Sequence, residues 1–79
     1  MLSKRRCPYT GVVNFYSAED PHMAVGSVVA GSESGFFWRY YTEPYARGGR
    51  ASDIGSAERE VLAAGRFAAR EAQGCRMAH

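Results

Sequence analysis

No apolar run in this chain approaches the roughly 20 residues that span a bilayer as a helix, so a helical membrane anchor is not expected. Lysine is almost missing: nine of the ten basic residues are arginine, and the formal net charge is only +2. So small a balance does not by itself imply nucleic acid. Arginine does offer a planar fork for carboxylates and phosphates and stacks on aromatic rings, which suits interfaces better than lysine does. Histidine occurs only at His22 and His79, with no ligand at the usual spacings, so no metal is expected. Two cysteines, Cys7 and Cys75, form no CxxC or Cys/His pattern. They read as reduced thiols in a cytoplasmic protein, with a Cys7–Cys75 bridge or a symmetric Cys75 bridge between two chains as the alternatives. Lys4, Arg5 and Arg6 precede Cys7, Pro8 and Tyr9 rather than an apolar stretch, unlike a signal peptide.

Catalytic patterns are equally scarce. No His–Asp pair can be placed beside Cys7. Glu19 and Asp20 are adjacent in a turn and read as solvated charges, while Gly48-Gly49 lacks a phosphate-loop fingerprint. The expectation is a protein that is not an enzyme and takes no cofactor.

What the chain does have is GFFWRYYT, residues 35–42, in which five of eight residues are aromatic. Period-two alternation puts Phe36, Trp38 and Tyr40 on one face of a strand and Phe37, Arg39 and Tyr41 on the other. Two further strands precede it. Residues 10–16 (TGVVNFY) place Val13 and Phe15 on one side, with Val12, Asn14 and Tyr16 on the other. Residues 22–30 follow an Asp-Pro turn, and Gly26 marks a bulge or a close backbone approach. The GSESG turn at 31–35 makes the second and third strands an antiparallel hairpin.

The other segments read as follows. Residues 1–9 form a loose basic arm. Residues 43–55 form an Arg/Gly loop in which Arg47 and Arg50 flank Gly48-Gly49. A helix covers 56–73, with Ser56 as N-cap and Gly74 as stop, and a tail covers 74–79. Ala57, Val61, Ala64, Gly65, Ala68 and Ala72 share its small face, which would pack on the large rings of the sheet. Arg59, Arg66 and Arg70 fall together on the opposite face. The fold class is therefore α+β: a single domain with a three-stranded antiparallel sheet (β-β-β) and one C-terminal helix packed on one face.

The outer sheet face can be read in two ways. Tyr16, Phe37 and Tyr41 could simply cover one another as cross-strand neighbours. A bare face carrying Phe37, Arg39 and Tyr41 could also receive a partner, a second copy of the chain, or stacked bases. GFFWRY loosely resembles the aromatic strand motif of RNA-recognition sheets, although that family has four strands and two helices.

In size, strand-and-helix layout and want of a catalytic motif, all 79 residues resemble the small anti-CRISPR proteins of phages and mobile elements, with type I-C systems the nearest target. The resemblance is one of general character. It implies a stoichiometric inhibitor, in the cytoplasm of a host bacterium, that binds the guide-RNA surveillance complex (Cascade) and keeps it from target DNA. A slightly basic member would meet acidic protein patches or the nucleic-acid path through its arginines. The surface argument places the contacts on Arg39, Arg47, Arg50, Arg59, Arg66 and Arg70, with Phe37 and Tyr41 as apolar anchors. Reversing the three helix charges is expected to spare folding and weaken the partner. The alternatives are a small nucleic-acid-binding protein and a dimeric bacterial domain joined through the sheet face or Cys75.

Overall fold

The computed structural model describes residues 2–31 and 33–77, with side chains as far as residue 72. The element order is β1 (Leu2–Arg6), β2 (Val13–Ser17), β3 (Asp20–Ala30), β4 (Phe36–Tyr40), β5 (Arg47–Ala51) and α1 (Ile54–Met77). The strands form one antiparallel sheet in the order β1-β2-β3-β4-β5. The α+β class and the C-terminal helix match expectation; the strand number does not. The sheet has five strands rather than three.

Both additional strands are edges, and both lack the apolar alternation that marks a strand. β1 reads LSKRR, and it replaces the loose arm. Cys7 N–H donates to the Val12 carbonyl at 2.8 Å and Gly11 N–H to the Cys7 carbonyl at 2.9 Å, closing the turn into β2. Leu2 and Lys4 fall on the helix side, where Lys4 Nζ donates to Glu58 Oε1 at 2.9 Å. A charge held on the inward side of an edge strand discourages pairing with another chain. β5 reads RGGRA and replaces the Arg/Gly loop. Its glycines answer a packing demand: a Cβ at Gly48 would lie 2.9 Å from the Trp38 carbonyl oxygen, and one at Gly49 3.1 Å from Trp38 Nε1.

The central hairpin is as expected. Gly31 N–H donates to the Gly35 carbonyl at 2.9 Å, and Val28 pairs with Trp38, Ser27 with Arg39. Gly35 has φ +84, and a Cβ there would meet the Ala51 carbonyl oxygen at 2.8 Å, so the turn tolerates only glycine. Between β2 and β3 the register shifts twice, and β3 begins at Asp20 rather than after the Asp-Pro step. Gly26 is a close approach as well as a neighbour of this irregularity. Its missing Cβ leaves room for Val61 Cγ1 at 2.7 Å and the Arg39 carbonyl oxygen at 2.8 Å.

Val13, Phe15, Val28, Trp38 and Tyr40 are buried from the sheet, and Ala57, Val61, Ala64 and Ala68 from the helix. Large rings opposite small helical residues is the expected complementarity. Ala72 is exposed, however, so the apolar stripe stops at Ala68. The helix is longer at both ends than residues 56–73. Asp53, not Ser56, caps it: Ser56 N–H donates to Asp53 Oδ1 at 2.7 Å, and Ala57 N–H to the Asp53 carbonyl at 3.1 Å. Gly74 does not stop it, because one glycine costs a helix only about 1 kcal/mol. The expected tail thus reduces to residues 78–79, which lie outside the described residues, as does the Cys75 side chain and therefore either disulfide expected of it.

Candidate functional site

With α1 on one face of the sheet, the other face is bare. Alternation along the strands sends Ser3 and Arg5, Asn14 and Tyr16, Ser27 and Val29, Phe37 and Arg39, and Gly48 and Arg50 to that side. Tyr41 joins them just beyond β4, its N–H bonded to the Val25 carbonyl at 2.7 Å.

The rings on this face do not cover each other. Two are held by arginines and the third by a hydroxyl. The Arg50 guanidinium lies 5.0 Å from the Phe37 ring centroid, and the Arg5 guanidinium lies 4.8 Å from that of Tyr16. Both are within reach of a cation–π attraction. Tyr41 is tied through its hydroxyl to Ser27 Oγ, a short contact that satisfies a buried polar side chain of the sheet. Phe37 and Tyr41 stay 40% and 44% exposed, so these partners steady the rings without hiding them.

Along β4, ring, guanidinium and ring follow at two-residue steps of roughly 6.7 Å: Phe37, Arg39, Tyr41. Beside them lies an open concavity of about 850 Å³ lined in part by Ser27, Val29, Phe37, Arg39, Tyr41 and Arg50. Glu43, past the end of β4, is the one carboxylate in its lining. Among the described residues, the five strands hold a single carboxylate, Asp20, at the start of β3 past both register shifts and seven residues before Ser27. The face is therefore cationic and aromatic. Its openness suits an extended ligand better than an enclosed small molecule.

The residues singled out from the sequence divide into three places. Phe37, Arg39, Tyr41 and Arg50 come together on the bare face. Arg47 pairs opposite Tyr40 and turns toward the helix side, its guanidinium 5.9 Å from the Trp38 ring, and it also lines the concavity. Arg59, Arg66 and Arg70 are exposed on α1 in the other layer, where Arg59 Nη2 donates to Ser56 Oγ at 3.2 Å. One flat partner cannot reach both layers. Arg5 was not among the candidates, because LSKRR carries no strand signal; the pairing of β1 with β2 alone brings it onto Tyr16.

Among the described residues, two groups titrate away from their ordinary values. The Cys7 thiol is lowered, chiefly by hydrogen bonds from the Thr10 side chain and backbone. Asp53 is lowered by the Ser56 backbone N–H and then by its hydroxyl. Neither lies on the bare face. Among the described residues no helix is long and apolar enough to cross a membrane. No family model matches the chain, and neither a curated protein nor a solved structure matches it.

Proposed function

We propose that this chain is a non-catalytic interaction protein that works by occupying a partner with its bare sheet face. The observation that carries this reading is the set of guanidinium-braced rings on a face where, among the described residues, the strand positions paired around Phe37 and Arg39 hold no carboxylate. Such a face favours an anionic partner presenting flat groups. The resemblance to anti-CRISPR proteins supplies the identity of that partner: a type I surveillance complex in the host cytoplasm, whose access to target DNA the bound protein blocks. The contacts fall on Phe37, Arg39, Tyr41 and Arg50, with Arg5 and Tyr16 extending them.

The test is a mobility-shift titration of a type I-C surveillance complex on labelled target DNA. Near-stoichiometric protein should abolish the shift. Arg39→Glu with Arg50→Glu should raise the protein needed at least tenfold, with far-UV circular dichroism unchanged. Reversing Arg59, Arg66 and Arg70 should cost less, because they lie on the other layer. A complex that binds its DNA equally well at tenfold molar excess of protein would remove this reading.

A further inference from the structure

We infer that the ligand of the bare face is single-stranded nucleic acid, held by stacking of bases on Phe37, Tyr41 and Tyr16 and by phosphate contacts from Arg5, Arg39 and Arg50. This rests on the sheet face being the working surface, as proposed above, but not on the surveillance complex being the partner. Three features select this ligand. Phe37 and Tyr41, on and just beyond β4, keep 40% and 44% of their surface open to solvent, and Tyr16 is half-buried; every base has a π-face to lay on such rings. The guanidiniums of Arg5 and Arg50 already lie on rings. A base can stack on such a guanidinium plane or take its place on the ring, freeing the charge for a phosphate. Finally, ring, cation and ring alternate along β4, as bases and phosphates alternate along an extended strand.

Other anionic partners use only part of this surface. A duplex hides its base faces, so the rings would have nothing to stack on. An acidic peptide satisfies the three arginines but leaves the rings without a flat partner. The concavity beside β4 is open and reaches from β3 to β5. It gives a chain a path past Phe37, Arg39 and Tyr41, with Arg5 and Tyr16 beyond its end.

The experiment is fluorescence anisotropy with a labelled oligouridylate dodecamer, set against a duplex of the same length and an oligoglutamate of similar charge. The single strand should bind most tightly. Three phosphate contacts at about −0.7 each give a log–log salt slope of about −2, or roughly 20-fold weaker binding between 50 and 200 mM salt. Phe37→Leu keeps the apolar bulk but removes the π-face, and should weaken binding about tenfold, as loss of one stacked base does. Arg39→Gln should flatten the slope by about one contact, or 0.7.

Equal affinity for the duplex or the oligoglutamate would overturn the inference, as would full affinity in Phe37→Leu. So would a protein that inhibits the surveillance complex yet leaves the oligouridylate unbound; the proposed function would then survive alone. Tight, salt-dependent binding of the single strand without any effect on that complex supports the inference and removes the complex as partner.

Discussion

At the scale of single residues, Asp53 shows how one carboxylate sets where the helix begins. Its Oδ1 accepts the Ser56 N–H and its Oδ2 the Ser56 hydroxyl, and both bonds favour the ionised form. The folded pKa is therefore held below the ordinary 3.8. The sign follows: the group stabilises the fold fully above the unfolded value and loses that contribution as pH falls through the depressed folded one. An asparagine in its place would still cap but could not titrate. In thermal melts, Asp53→Asn should therefore melt below the wild type near neutral pH, and the gap should close as pH falls below the ordinary 3.8. A gap independent of pH would deny the ionised carboxylate this role. Ser56 was the sequence-based candidate for the cap because it immediately precedes Ala57 of the apolar stripe. Ile54 and Gly55 hide the true start, since neither shows which way the chain turns.

At the scale of elements, the contact between α1 and the sheet is graded by glycine. Gly26 sits on β3 beneath Val61, and a Cβ there would strike both a side chain and the Arg39 backbone. Backbone in a central strand cannot yield, so Gly26→Ala should cost roughly 1–3 kcal/mol, as overpacking does. Gly65 is the opposite case. Its Cβ would meet the end of Leu2 at 2.9 Å, a half-buried side chain on an edge strand that can rotate away. Replacing a mid-helix glycine by alanine gains about 1 kcal/mol of helix propensity, so Gly65→Ala should be neutral or stabilising. Urea denaturation of both variants checks the contrast, and a larger loss at Gly65 than at Gly26 would contradict this packing. β1 and β5 explain why element number was underestimated. Edge strands bury one side at most, and here Lys4 replaces an apolar residue with a charge that reaches Glu58. In β5, the two glycines remove the alternation altogether.

At the scale of the molecule, nine apolar side chains among the described residues form the buried core, close to the minimum for a domain this small. Phe15 is only 1% exposed and is the largest of the fully buried side chains. Phe15→Ala should cost about 3–5 kcal/mol, comparable with the whole stability such a domain commands. The variant should show no cooperative thermal transition at room temperature and above. The same economy shapes function. One face of the sheet is consumed by the core, and the outer side of the helix is mostly charged, with Phe67 exposed at its margin against Tyr45. The bare face is the broad surface left for recognition.

How much of this was legible in the residues can be stated by place. Alternation in residues 36–40 and in Val13 and Phe15 determined which rings are buried, and helical periodicity determined the Ala57, Val61, Ala64, Ala68 stripe, because burial imposes a period on apolar side chains. The Gly-rich turn between Ala30 and Phe36 determined the central hairpin. Phe37, Arg39 and Tyr41 were recognisable as one outward row for the same reason. Only the tertiary structure decided that LSKRR and RGGRA are strands, that Arg5 and Arg50 lie on the rings of Tyr16 and Phe37, and that Arg47 turns to the other side. Those choices come from backbone pairing with a neighbour already in place and from the space around Trp38. Neither leaves a periodic signal, because a strand paired along one edge takes its conformation from its partner more than from its own side chains.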